Sequence, residues 1–292
     1  MDKQGFFMDF LAHRTLPKLI LSGRSLTRRQ PLSDVAGSSF ENGAPEQGGI
    51  LDMLRAAQTE GCGGVCGVGD DGLAKAIATL RAENLKPSEL PFQMLPMIPN
   101  VLGYVREATE YGLAGAGMRR VLRTGLGGVI RAGLTGMRNA PSVLRKQFPA
   151  ALEILYDLEM GEMNRLKPPV VFLHHTITDM AVAFGHRKIL DNFVRAMRDR
   201  YHTEPGFATS NFVELAGRLK AWDIPASWIL APLNQPGYLM PGGLEAYRNI
   251  LQEGGLRLIA DKVSPESPTP GAAIEWALSQ PAVAAVMVDK IG

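Results

Sequence analysis

Only two cysteines occur among the 292 residues, Cys62 and Cys66, four positions apart beside a glycine-rich turn. One such pair makes no disulfide framework, and a zinc site would need a second pair. A reducing, cytoplasmic setting is the simpler expectation. Net charge is equally scarce. A formal +2 gives no electrostatic reason to expect nucleic-acid binding. Long hydrophobic runs are missing too. The nearest approach to a membrane span, 112–137, is broken by Arg119, Arg120, Arg123 and Arg131. The N-terminal stretch MDKQGFFMDFLAHRTLPKLILSG carries short apolar runs interrupted by Asp9, His13, Arg14 and Lys18, unlike a signal peptide. Nor does a Gly-x-Gly-x-x-Gly follow the first expected strand, which argues against a doubly wound dinucleotide-binding sheet.

What is present is an ordinary globular composition, 46% apolar and 21% charged. Strand-like runs alternate with helical stretches. Strands are expected at Leu16–Ser22, Gly64–Val68, Pro91–Ile98, Val170–His174, Gly206–Ser210, Trp228–Pro232, Leu256–Ala260 and Val283–Val288. Helices are expected at 49–60, 71–83, 187–201, 212–222, 243–253 and 269–279, and 23–48 reads as a loop. Residues 100–168 are too long for one barrel helix and read as pieces at about 101–123, 126–137 and 147–166. Short βα repeats of this kind require parallel strands. The expected fold is a single (β/α)8 TIM barrel over 1–292, with an enlarged basic helical insertion, 101–166, between strands three and four.

Four motifs in the second half, taken in order, resemble the aldo-keto reductases. VVFLHH is similar to that family's fourth strand, which ends in a catalytic His, here His174. GFATSNF resembles the fifth strand, whose Ser-Asn pair holds the nicotinamide carboxamide, here Ser210 and Asn211. ILAPLNQPGYLM resembles the sixth and implies a nicotinamide-contacting Gln235, with Asn234 beside it. PTPGAAIEWALSQPAVAAVMVDKIG resembles the final helix and strand and puts Lys290 near a cofactor 2′-phosphate. The resemblance covers roughly 150–292.

The first half departs from it. The family's tetrad is Asp, Tyr, Lys and His. Asp70 and Asp71 fall too late after strand two, no Tyr precedes Tyr104, and PFQMLPM supplies no Lys. Asp261 stands where the family places a stacking Tyr. Carbonyl reduction needs a proton donor for the alkoxide that hydride transfer creates. With the Tyr missing, His174 is the candidate acid, as an imidazolium.

Strand ends on one face of a barrel are where catalytic groups collect. His174 and His175 are therefore acid/base candidates, with Asp179 close by; if the strand continued, only one of the two rings could face the interior. Two His and an Asp five residues on are too loosely spaced for a metal site, and no metal is expected. Lys262 could form an imine with a carbonyl substrate, or simply pair with Asp261 at the rim. Asn234, Asp261, Arg24 and Tyr238 are substrate-binding candidates, and Arg24, Arg28 and Arg29 could hold a carboxylate or phosphate. Asp70 and Asp71 suit a helix N-terminus.

The segment 112–152 contains Arg119, Arg120, Arg123, Arg131, Arg138, Arg145 and Lys146 and no acid. It suits a lid that clamps an anionic substrate, a peripheral contact with an anionic membrane, or a contact with a partner subunit; a solvated basic helix pair is the plain alternative. Three functional readings follow. The first is an enzyme using acid/base or imine chemistry on a small carbonyl-bearing or anionic molecule, without nicotinamide. The second is an atypical NADP(H)-dependent oxidoreductase gripping its cofactor with Ser210, Asn211, Gln235 and Lys290. The third is an inactive barrel serving as a binding or assembly module.

Overall fold

The computed structural model describes residues 16–27, 47–83, 90–100, 148–266 and 269–290. Eight parallel strands close on themselves in chain order: β1 (Leu19–Ser22), β2 (Gly64–Gly67), β3 (Gln93–Ile98), β4 (Val170–Leu173), β5 (Glu204–Ala208), β6 (Trp228–Pro232), β7 (Arg257–Asp261) and β8 (Val283–Val288). Closure comes from β8 pairing with β1, with Leu19 opposite Val286 and Leu21 opposite Val288. The chain is a (β/α)8 barrel. The described helices are α1 (Arg24–Thr27), α2 (Gln47–Thr59), α3 (Asp71–Glu83), α4 (Phe148–Met163), α5 (His175–Ala183), α6 (Arg187–Arg195), α7 (Phe212–Ala221), α8 (Gly243–Glu253) and α9 (Gly271–Leu278).

A strand alternates its side chains between two faces, and in a barrel one face is the lumen and the other the layer under the helices. β4 shows this directly. Val170 and Phe172 belong to the lumen cluster, Val171 and Leu173 to the outer core. The same alternation puts Cys66, Leu95, Ala208, Leu230 and Ile259 inside. Both faces are dry, which is why these strands read as unbroken apolar runs. Glycine at 206 makes room for the lumen aromatic. A Cβ there would lie 2.5 Å from Phe172 Cε1 and 3.0 Å from Val170 Cγ1.

Several elements differ from the sequence reading, and β5, expected at Gly206–Ser210, runs Glu204–Ala208. Residues 24–27, expected as loop, form α1 directly after β1. The turn after β4 is itself helical, so α5 precedes α6 in the β4–β5 connection. α6 buries Ile189, Leu190, Phe193 and Val194 and leaves Lys188 exposed, as an amphipathic period requires. A π-helical turn, Ala196–Arg200, follows it. There Arg200 Nη1 donates to Asp157 Oδ1 on α4 at 2.8 Å, and the Tyr201 hydroxyl donates to the same oxygen. Asp157 is thereby held inside the protein and joins α4 to the entry of β5. The expected pieces at 101–123 and 126–137, and the basic segment up to residue 147, lie outside the described residues. Among the described residues no helix is long and apolar enough to cross a membrane.

Several strand ends continue their ladders one step further. His174 N donates to Ile98 O at 2.7 Å, Thr209 N to Leu230 O at 2.9 Å, and Leu233 N to Asp261 O at 2.9 Å. The backbone at the C-terminal mouth is therefore fixed by the barrel itself, and so are the side chains it presents there.

Candidate active site

β4 ends at Leu173, and His174 is the N-cap of α5. The cap is unusual in being an imidazole: Nδ1 accepts from Thr176 N at 3.2 Å, where a Ser or Asp oxygen would ordinarily serve. Since the strand stops there, the neighbouring rings need not point to opposite faces. His174 and His175 stack, with centroids 4.3 Å apart and planes 30° off parallel. His174 is 7% exposed, and burial first, then the adjacent His175, lowers its pKa to about 4. It is therefore neutral at pH 7. With Nδ1 accepting a hydrogen bond, its proton belongs on Nε2. The lowered pKa argues against the imidazolium acid expected from the sequence.

His175 is more exposed, yet its pKa is lowered as well. Partial burial is the main cause. Asp179 opposes it, Lys262 and Arg24 add to it, and Asp261 opposes it. Groups from the ends of β1, β4 and β7 thus act on one ring, so they share one mouth.

Arg24 and Asp261 form the second feature. Arg24 Nη2 donates to Asp261 Oδ2 at 2.9 Å, while Asp261 Oδ1 accepts from Lys262 N at 2.8 Å. The ion pair expected between Asp261 and Lys262 is replaced by one between Asp261 and Arg24. Lys262 has a left-handed backbone (φ 50°) and an exposed side chain without an ion pair among the described residues. Below them lies the buried Cys66, its thiol pushed up to about 12, by burial first and by Asp261 next, with Arg24 opposing. It is a neutral thiol at pH 7 and no nucleophile.

The third feature is a carboxylate anchor that the sequence reading overlooked. Asp179 accepts from Thr209 Oγ1 at 2.5 Å and from Ser210 N at 3.0 Å, tying α5 to the end of β5. Thr209 Oγ1 in turn accepts from Asn211 N at 2.9 Å. The run Thr209-Ser210-Asn211 ahead of an apolar helix was the available signal, since such residues gather at helix starts.

The remaining candidates divide by exposure. Ser210, Gln235, Tyr238 and Lys290 are exposed after β5, β6 and β8. Asn211 caps α7, its Oδ1 accepting from Glu214 N at 3.4 Å. Asn234 is buried and fully engaged. Its Nδ2 donates to Tyr238 O at 2.8 Å and to Lys262 O at 3.2 Å, and its Oδ1 accepts from Tyr238 N at 2.7 Å. Asp70 caps α3, accepting from Leu73 N at 2.8 Å, and Asp71 opens that helix. Arg28 and Arg29 lie outside the described residues. Among the described residues, no three His, Cys, Asp or Glu side chains group as metal ligands. A separate cavity between α7 and α8, about 680 Å³ and bordered by Val213, Ile224, Ile250 and Leu256, shares no residue with the mouth.

No protein-family model matches the chain, and no curated protein matches it. A solved structure from Pseudomonas aeruginosa, described as a candidate aldo-keto reductase, is similar at 15% identity. The match covers 93% of this chain and 83% of that one, with a TM-score of 0.48. A likeness that distant carries no argument about chemistry.

Proposed function

We propose that the barrel mouth binds a small anionic carbonyl compound and promotes proton transfer at the carbon beside the carbonyl. One observation carries the reading: a neutral, stacked histidine pair stands within electrostatic reach of Arg24 and Lys262. In this reading the two cations attract and orient the substrate's carboxylate or phosphate. His174 offers its Nε2–H to the carbonyl oxygen, and His175, neutral and more accessible, takes the proton from the adjacent carbon. The C–H electron pair becomes the enolate double bond, the carbonyl pair moves onto oxygen, and the proton rests on His175 until it returns or exchanges with water. Asp179 favours the protonated form of His175 and so supports the transfer. The seven basic residues and no acid over 112–152 favour anionic ligands by charge alone. A cytoplasmic site of action and a single-barrel organisation of 1–292 complete the proposal.

Pyruvate is the smallest probe of the class. Its methyl protons, followed by NMR in heavy water, are expected to exchange faster with the protein than in buffer. A His175→Gln variant is expected to lower that rate by about 100-fold. Exchange at the buffer rate with the intact protein overturns the reading.

A second reading is favoured by the exposure of Ser210, Gln235 and Lys290 at the ends of β5, β6 and β8. These side chains suit the amide and phosphate groups of NADP(H), which would supply hydride. Quenching of NADPH fluorescence that weakens in Lys290→Ala supports it, and no quenching at saturating protein rejects it.

A further inference from the structure

The loop after β6 is built around a single amide. The three hydrogen bonds of the Asn234 side chain hold Tyr238 by both its N–H and its carbonyl and hold Lys262 by its carbonyl. One buried carboxamide therefore fixes the β6–α8 loop against the β7 exit. The loop is also bound within itself: Gly237 N donates to Asn234 O at 3.2 Å, and Asn234 N to Met240 Sδ at 3.3 Å.

The backbone on this clamp is strained where side chains are displayed. Leu239 has φ 55° and Lys262 has φ 50°, a region that disfavours any residue with a Cβ. Strain of this kind persists only where surrounding bonds over-determine it, and it gathers at ligand sites. What it displays here is unexpected for a loop: Tyr238 is 61% exposed and Leu239 is 47% exposed, while Met240 turns inward at 5%. A clamped loop thus presents two large apolar side chains to water, with the backbone of Lys262 held to the same amide. Exposed apolar side chains held beside a cation can cover the apolar part of a ligand and leave its charge to the cation.

We propose that Tyr238 and Leu239, set beside Lys262 by Asn234, form one apolar subsite that receives the aromatic or branched apolar tail of an anionic carbonyl substrate whose acid group meets Lys262. This rests on the mouth being an anionic-carbonyl site and adds the class of side group the substrate carries. Asn234 is a positioning residue. It acts through the loop and the lysine it holds.

Calorimetric titration of the full chain with phenylpyruvate and with pyruvate tests the proposal. Phenylpyruvate is expected to bind at least about tenfold more tightly, the gain that burying part of an aromatic ring provides. That ratio is expected to fall to about twofold or less in Tyr238→Ala and in Asn234→Ala and to survive in Tyr238→Phe, because the apolar ring carries the contact. Near-wild-type circular dichroism and melting of the Tyr238 variants separates loss of the subsite from loss of the fold. Equal affinities for the two acids, or a ratio indifferent to Tyr238→Ala, overturns the subsite and leaves the mouth reading standing. Failure of both acids to bind the intact protein overturns both.

Discussion

The guanidinium of Arg24 donates to the carboxylate of Asp261 at 2.9 Å, joining the first strand's exit to the seventh's across the eighth. The residues are 237 positions apart and meet only because the ring closes. Arg24 is 56% exposed, so the pair contributes about 0–1 kcal/mol to stability. Its larger consequence under the proposed function is for binding, since Asp261 then competes with the anionic ligand for Arg24. Asp261→Asn is expected to tighten pyruvate binding by about three- to tenfold at low salt and Arg24→Met to weaken it, with both effects shrinking as salt is added. Affinities unchanged in both variants would remove Arg24 from the site.

The buried imidazole of His174 makes stability depend on pH. Its pKa falls from 6.5 to about 4 on folding, so the unfolded chain binds the proton more readily. The associated stability is fully present above pH 6.5, declines as the pH drops toward 4, and is exhausted below that. Over the interval the loss is about 3 kcal/mol at most. Urea denaturation at several pH values should therefore show a shallower acid dependence in His174→Gln than in the wild type. Parallel slopes for the two proteins would contradict the assignment.

Gly206 is expected to tolerate no side chain. The Cβ of Gly206→Ala would fall 2.5 Å from the Phe172 ring inside a closed lumen, costing about 1–3 kcal/mol. A second change, Phe172→Leu, should recover part of that loss because it vacates the contested volume. Denaturant midpoints of the single and double variants read this directly.

Asp157 is a structural carboxylate away from the mouth. Its side chain is fully buried and serves Arg200 and Tyr201 together. Asp157→Ala leaves both donors facing a void and should destabilise the protein by about 3 kcal/mol. Ligand affinity in the surviving folded fraction should not change. A loss of pyruvate binding larger than the loss of folded protein would show that this network reaches the mouth.

Much of the frame was legible in the sequence. Val170–Leu173 and Trp228–Pro232 could be read as strands because a parallel strand covered on both faces must be continuously apolar. His174 was legible as a mouth residue because it directly follows such a run. α5 escaped notice because its cap is an imidazole, whose acceptor role depends on its tautomer rather than its residue type. The role of Asn234 stayed open between ligand and loop for a related reason. A carboxamide suits a ligand or a loop equally well, and only the positions of Tyr238 and Lys262 commit it to the loop.

The sequence by itself determined the order of the eight strands and the place of the tandem histidines behind the fourth, because periodicity and burial act over a few neighbouring residues. The tertiary structure alone decided that Arg24 pairs with Asp261, that the histidine rings stack in neutral form, and that Asp179 anchors Thr209 and Ser210. Those outcomes depend on distances across a closed ring and on the burial of His174 at its mouth, and neither is a property of any local stretch of chain.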